Sequence, residues 1–441
     1  MKKIVIAGVG YVGLVSAVCL AENGYNVICV DVNNSKIEML KNGKSPIYEP
    51  KIEELLAKNK SKLQFATNGE EHYKNADIIF ITVGTPNNKD NTVNLNYVYT
   101  IVEQIAQNAE KNCIIVVKST VPVGTNDIIQ HKVDKMCKPG IKIEVVSNPE
   151  FLSQGTAVEN GLHPSRIILG VESEQAEEQM KEIYINFDTQ ILTTTRINSE
   201  LIKYASNSFL ALKVSYINEI ANLCERVGAD VNAVKTGMGL DSRIGNQYLE
   251  PGIGYGGSCL PKDTNALVSF AKSNNCNLKI IKSVISTNKN QNIILIQKLK
   301  KYYKDFKNLN IAILGATFKP NTDDLREAPS VKNIKYLLNK KANIKIFEKV
   351  GKEKLQDVFG DKLKYYDTIE QTIENADVCL IFTQWKEIKE IDLKIFEKNM
   401  KTPIIIDGRN CFEIDKIKKY NILYESIGRP TVNSHIKIGD K

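Results

Sequence analysis

Lys3-Ile4-Val5-Ile6-Ala7-Gly8-Val9-Gly10-Tyr11-Val12-Gly13 is the stretch that decides the fold. A short run of β-branched apolar residues reads as a strand, and three glycines follow it at G-x-G-x-x-G spacing. In that setting Gly8 permits a tight turn, Gly10 lets backbone amides approach a pyrophosphate, and Gly13 lets a helix pack closely on the strand. A second strand over residues 26–30 ends at Asp31, 18 residues after Gly13. A carboxylate there binds the diol of an adenosine ribose and repels a 2′-phosphate, so the pair of motifs predicts a site for NAD in preference to NADP. Met1-Lys2-Lys3 followed by the apolar residues 4–21 imitates a secretory signal peptide. The glycines and the second strand argue for a folded βαβ unit instead.

Outward from this motif, β-branched runs at residues 4–7, 26–30, 78–83, 114–118, 144–147 and 166–170 alternate with helical stretches. That rhythm predicts βαβ units around a parallel sheet. The period then changes. From Ser199, read as an N-cap, apolar residues including Leu201, Ile202, Ala205, Phe209, Leu212, Tyr216, Ile217, Ile220 and Leu223 recur at helical spacing until Gly228. Residues 229–300 read as helical apart from a glycine-rich insert at 252–257. Strand signals return at 311–314, 344–347, 378–382 and 404–406. The expected architecture is α/β. Two doubly wound Rossmann-like domains, residues 1–198 and 301–441, are joined by a long central helix and a small helical region over residues 199–300. The polar tail after Arg429 reads as loose.

Composition sets the outer bounds. At 441 residues with 42% hydrophobic and 25% charged side chains, the chain has the apolar matter for full cores, which excludes disorder and fibres. The 59 Lys and Arg against 51 Asp and Glu give +8, an excess that fits an anionic substrate. These cations are scattered rather than striped, which argues against nucleic acid. The densest patch, Lys298-Leu299-Lys300-Lys301-Tyr302-Tyr303-Lys304, reads as a solvated helix face rather than a single-strand clamp. Nine cysteines are an odd number, and Cys19, Cys29, Cys113, Cys224 and Cys379 lie in apolar stretches with no metal-ligand spacing. That usage predicts a reducing cytoplasm and no metal. His72, His131, His163 and His435 are isolated and read as surface or loop residues. No later stretch reaches the roughly 18 to 20 apolar residues that a membrane span needs.

Four segments carry chemistry. Gly84-Thr85-Pro86 and Lys118-Ser119-Thr120-Val121-Pro122 follow strands, where ligands of open parallel sheets bind, although ordinary turns fit the same spacing. Gly254-Tyr255-Gly256-Gly257-Ser258-Cys259-Leu260-Pro261-Lys262-Asp263 is the most informative. Glycines let backbone crowd a ligand, and Pro261 suits the first turn of a helix. Cys259 then sits just before an N-terminus whose partial positive charge stabilises a thiolate, which makes it a candidate nucleophile. Lys203 and Asn207, four residues apart, share a helix face and can both donate to an oxyanion, although such a pair is ordinarily solvated surface.

Gly8-Val9-Gly10-Tyr11-Val12-Gly13, Ser119-Thr120-Val121-Pro122, Asn148-Pro149-Glu150-Phe151-Leu152, Gly256-Gly257-Ser258-Cys259-Leu260-Pro261-Lys262-Asp263, Gly315-Ala316-Thr317-Phe318-Lys319 and Asp407-Gly408-Arg409 together span nearly the whole chain. In this order the set resembles the UDP-glucose/GDP-mannose dehydrogenase family and, within it, the UDP-glucose 6-dehydrogenases. The resemblance implies two successive oxidations at C6 of the sugar, with two NAD and one water, and a homodimer supported by the long helix. It also implies UDP-glucose as the substrate, with neither nucleic acid nor membrane as a partner. Cys259 resembles the nucleophile that turns the aldehyde into a thiohemiacetal and then a thioester. Lys203 and Asn207 resemble the groups stabilising charge on the C6 oxygen, Asp263 and Thr120 the pair positioning a water, and Glu150 the carboxylate that helps hydrolysis.

By the same resemblance, Gly8, Val9, Gly10, Tyr11, Val12, Gly13, Asp31 and Lys36 belong to the cofactor site, with Thr85, Ser119, Thr120, Gln154, Lys262 and Arg326. The sugar nucleotide falls to Glu150, Phe151, Leu152, Lys203, Asn207, Phe318, Lys319 and Arg409. To these it adds a loop of Tyr248, Glu250, Gly252, Ile253, Gly254, Tyr255 and Gly256, and an Arg243 that reaches the neighbouring subunit. One position departs from the pattern. Many relatives carry a second glutamate where this chain has Gln154, and a neutral amide keeps hydrogen bonding without basicity. Phe151-Leu152 favours glucose over N-acetylated UDP-sugars, with GDP-mannose the harder alternative. A single-step hydroxyacid dehydrogenase needs neither Cys259 nor a second sheet, and an NAD-binding regulator without turnover is the reading from another class.

Overall fold

The computed structural model of the chain describes residues 2–433. It forms two compact units, one made of the chain up to Ser206 with Asn265–Asn277, the other of Asn207–Thr264 with the chain from Leu278 onward.

The first unit holds strands β1 (Ile4–Ala7), β2 (Val27–Val30), β3 (Leu63–Ala66), β4 (Ile78–Ile81), β5 (Cys113–Val117), β6 (Ile143–Ser147), β7 (Ile167–Gly170) and β8 (Ile191–Thr194). They lie in the order β3-β2-β1-β4-β5-β6-β7-β8. Strand order reverses between β1 and β4, where Ala7 pairs with both Val30 and Ile81, and that switch point is where open sheets bind ligands. Alternate strand residues feed two cores. Ile4, Ile6 and Phe80 pack with helix Tyr11–Glu22 on one face, while Val5, Ile79 and Ile115 pack with helix Asn96–Asn108 on the other. Burial on both faces is why these strands are continuous apolar runs rather than alternating ones.

Two expectations need correction here. The sheet is not uniformly parallel, because β7 pairs antiparallel with β6 through Ser147 and Gly170, and β8 runs parallel to β7. The long helix spans Arg196–Val227, so Ser199 lies inside it rather than at its cap. Thr195 does the capping, accepting from Asn198 N at 3.3 Å, while the buried Ser199 hydroxyl lies 2.9 Å from that of Ser147.

The second unit repeats the doubly wound plan with β9 (Asn310–Leu314), β10 (Asn343–Phe347), β11 (Lys364–Tyr366), β12 (Val378–Ile381), β13 (Ile404–Asp407) and β14 (Leu423–Glu425). Their order is β11-β10-β9-β12-β13-β14, all parallel. The lysine-rich patch is a solvated face only in part, because Lys300, Lys301 and Lys304 are exposed while Lys298 turns inward. Lys298 is buried against Glu225 (2.7 Å) and Glu425 (3.1 Å), Lys301 and Tyr302 also bond Glu425, and Tyr303 is buried. The carboxylates that draw Lys298 inward lie far away in sequence. The tail is also firmer than expected as far as it is described, since Val432 and Tyr424 exchange two backbone hydrogen bonds of 3.0 and 3.1 Å. Residues 434–441, and with them His435, lie outside the described residues. Among the described residues no helix is long and apolar enough to cross a membrane.

Candidate active site

In the first unit the glycine turn is held by its own packing. Gly8 has φ 102°, and a Cβ on Gly13 would sit 1.8 Å from Gly8 O. Thr82, at the end of β4, donates its hydroxyl to Gly8 O at 2.7 Å, a support the sequence reading missed. A Cβ on Gly10 would meet no protein atom within 4 Å. Packing thus demands glycine at 8 and 13 but not at 10, where the demand comes from whatever approaches the turn. Helix Tyr11–Glu22 begins there, and a helix N-terminus suits a pyrophosphate.

Asp31 accepts from Val9 N and Asn33 N, both at 2.9 Å, one at each carboxylate oxygen. Each oxygen keeps a lone pair for a ribose hydroxyl. Lys36 lies in the first turn of helix Asn34–Lys41, its N–H capped by Asn33. Thr85 donates to Thr120 O at 2.8 Å and Ser119 to Val83 O at 2.7 Å, which ties together the turns after β4 and β5. These residues fit NAD.

Glu150, after β6, and Lys203, on the long helix, are both buried. The Lys203 ammonium bonds Glu150 O at 2.5 Å and Glu150 Oε1 at 3.1 Å, while Glu150 Oε2 accepts from Leu152 N. Phe151 is stacked by the Arg166 guanidinium, 3.8 Å from the ring centroid. Lys118 lies close by with its ammonium on Asn148 Oδ1 at 3.0 Å, and burial pushes its pKa down to about 8. Neither Lys118 nor Arg166 was singled out from sequence. A lysine in a turn motif carries no sign of where its ammonium ends.

In the second unit, Cys259 occupies the residue before helix Leu260–Ser273, as the position of Pro261 predicts. Its carbonyl accepts from Asp263 N, and its Sγ lies 3.6 Å from Ser258 Oγ. Asp263 is buried with Asn207 Nδ2 on one oxygen and Lys262 Nζ on the other, each at 2.6 Å. Far from being solvated surface, Lys203 and Asn207 are 3% and 6% exposed, and they stand one turn apart on a single helix.

The loop through Gly252, Ile253, Gly254, Tyr255 and Gly256 is buried and laced by amides. Asn218 accepts from Gly252 N, Gln291 donates to Gly252 O, and Asn288 bonds both backbone groups of Tyr255. A Cβ on Gly257 would come 2.9 Å from the Phe318 ring. Arg409 donates to Phe318 O and Phe382 O, both at 2.8 Å, and burial lowers its pKa to about 10. Arg326 pairs with Asp324, Glu250 with Lys235, and the exposed Arg243 with Asp241. Tyr248 precedes the loop with φ 62°.

A glycine turn at a sheet's switch point, followed by an acid with lone pairs to spare, is the arrangement of an NAD-binding α/β protein. Comparison with known proteins narrows this class. Residues 2–188 match the NAD binding domain of the UDP-glucose/GDP-mannose dehydrogenase family, residues 197–290 its central domain and residues 312–414 its UDP binding domain. A UDP-glucose 6-dehydrogenase of Bacillus subtilis (YwqF) is 43% identical over 432 residues, 98% of each chain. A UDP-glucose dehydrogenase structure from Pyrobaculum islandicum superposes with a TM-score of 0.90 at 35% identity, covering 96% of this chain and 97% of that one. A UDP-D-ManNAc dehydrogenase structure from Pyrococcus horikoshii gives 0.86 at 26% identity, covering 97% and 99%. The chain belongs to the UDP-glucose/GDP-mannose dehydrogenase family.

Proposed function

We propose that the chain oxidises UDP-glucose to UDP-glucuronate in two steps at C6, through a covalent adduct on Cys259. The observation that carries this reading is Cys259 at a helix N-terminus, one turn before a buried Asp263 held by Asn207 and Lys262. NAD, when bound, takes a hydride from C6 in each oxidation.

Lys203 and Asn207 present an ammonium and an amide N–H to the C6 oxygen as it gains charge in the first step. Cys259 Sγ then adds to the aldehyde carbon while its proton passes to the oxygen, giving a thiohemiacetal. Loss of hydride and of the hydroxyl proton leaves a thioester. Water adds to that carbonyl, and the thiol and the carboxylate separate. Glu150 takes the proton of this water, with Thr120 and Asp263 orienting it. Gln154 offers hydrogen bonds only. The balance is one alcohol, two NAD and one water to one carboxylate, two NADH and three protons.

Lys319 and Arg409 supply cations for the diphosphate side, and residues 250–256 with Phe318 enclose the sugar nucleotide. The three-part division at residues 198 and 300 follows the same assignment. A homodimer through the long helix is supported by Ile197, Leu201, Phe209, Tyr216 and Leu223, which are large, apolar and exposed along it. Arg243 would serve the neighbouring copy. Nine free thiols fit the cytoplasm.

The test is a panel of UDP-glucose, GDP-mannose and UDP-N-acetylhexosamines with NAD, in which UDP-glucose gives the highest kcat/KM. With Cys259→Ala, a single turnover should yield about one NADH per sugar instead of two, with no adduct by intact mass. Two NADH at the parental rate would remove Cys259 from the mechanism.

A further inference from the structure

Glu49 lies in the loop between helices Asn34–Lys41 and Ile52–Lys58, and the residue is 5% exposed. The partners of that carboxylate come from two other places in the first unit. Oε2 accepts from the Tyr11 hydroxyl at 2.7 Å and from Gly155 N at 2.6 Å, and Oε1 accepts from Ala157 N at 2.6 Å. Tyr11 is the residue after Gly10, at the first turn of the helix that receives the pyrophosphate. Its hydroxyl proton is shared with Tyr48 O at 2.5 Å, so the Glu49 loop closes over the glycine turn. Gly155 and Ala157 end the segment that begins at Glu150, and Gly155 turns it with φ 83°.

This segment carries Glu150, Phe151, Leu152 and Gln154, and it is fixed at two ends. Lys203 holds Glu150 at the near end, and Glu49 bonds the N–H groups of Gly155 and Ala157 at the far end. A buried carboxylate whose hydrogen bonds come from neutral N–H and O–H donors depends strongly on each donor, because every one offsets part of its desolvation.

We propose that Glu49 is a positioning residue that links the cofactor turn to the 150–157 segment, so that NAD bound at the turn steadies the segment that works on the sugar. The proposal rests on the function given above. Linkage makes the effect reciprocal, with a well-held segment favouring NAD.

The experiment uses the full chain as parent, Tyr11→Phe, Glu49→Gln and the double variant. It reads amide exchange at Gly155 and Ala157 with and without NAD, beside NAD affinity. Saturating NAD should slow both amides at least threefold in the parent. Tyr11→Phe, which keeps the ring and both Glu49 contacts to the segment, should lose that slowing even at NAD concentrations raised to saturate the variant. Glu49→Gln should speed both amides about tenfold without NAD, and the two substitutions should be non-additive in NAD affinity. Full NAD-dependent slowing in Tyr11→Phe, none in the parent, or additive effects would overturn the link. None of these readings involves sugar, so a wrong substrate assignment leaves them standing, and the parent's own NAD affinity reports on the cofactor reading separately.

Discussion

Lys118 carries a charge that burial disfavours. It follows β5, and its ammonium meets the amide oxygen of Asn148, which also accepts from the Tyr184 hydroxyl at 2.5 Å. Burial lowers its pKa to about 8, Glu150 opposes that shift, and Lys203 adds to it. Between about pH 8 and the ordinary lysine value near 10.4, the unfolded chain keeps a proton that the folded chain has released, so this group's contribution to stability rises with pH across that window. Below it the folded state carries the cost of a buried cation. Lys118→Met removes the charge while Tyr184 still satisfies Asn148. Relative to the parent, the variant should gain on the order of 2 kcal/mol at pH 7, and the gain should shrink through pH 8 to 10. Urea unfolding of both chains at each pH reads the difference, and subtracting the parent cancels the tyrosines and thiols that titrate nearby. A constant offset across the range would mean that Lys118 does not titrate there.

At the scale of elements, the glycine-rich loop depends on two helices that do not touch it in sequence. Asn288, on helix Lys279–Gln291, accepts from Tyr255 N at 2.8 Å and donates to Tyr255 O at 3.0 Å, and a Cβ on Gly254 would fall 2.5 Å from its Oδ1. Asn288→Ala leaves two buried backbone groups unpaired, each costing about 1–3 kcal/mol. The expected outcome is a lower melting temperature and a KM for the sugar nucleotide raised severalfold, with a smaller change in NAD affinity because Asn288 bonds neither the glycine turn nor Asp31. An equal loss of NAD affinity would contradict this difference.

The same loop marks how far the sequence was legible. Glycines at 252, 254, 256 and 257 announced a crowded backbone, but nothing in a helical pattern says which asparagine turns inward, so Asn218, Asn288 and Gln291 were not found. Interior strands were legible because both faces are apolar. The edge strands β3, β8, β11 and β14 were missed, being short and, as in Leu63-Gln64-Phe65-Ala66, partly polar. The buried Lys298 was misread for the same reason as Lys203, since its partner carboxylates are distant in sequence.

At the scale of the molecule, one plan is used twice with opposite results. The order β3-β2-β1-β4-β5-β6 of the first sheet is matched by β11-β10-β9-β12-β13-β14 in the second, and each has an acid directly after its second strand. Asp31 in the first spends one bond per oxygen on backbone N–H groups and is half-exposed, which leaves it able to hold a ribose. Glu348 in the second is 5% exposed and takes the N–H groups of Ala316, Thr317, Val350 and Gly351, a set that uses up its acceptor capacity. The acid of the second sheet is thereby taken up by the chain's own N–H groups, and it holds the turn that leads to Phe318 and Lys319. Calorimetric titration should therefore give one NAD per chain rather than two. Asp31→Ala should weaken that single site and narrow the preference over NADP, since the ribose acceptor and the charge that repels a 2′-phosphate leave together. Glu348→Gln should leave the NAD stoichiometry and affinity as they were but cost about 2–3 kcal/mol of stability, because an amide nitrogen is turned toward backbone donors. Binding of a second NAD by the parent, or loss of NAD affinity in Glu348→Gln, would mean that the second crevice is open to the cofactor and that its acid does more than close the turn.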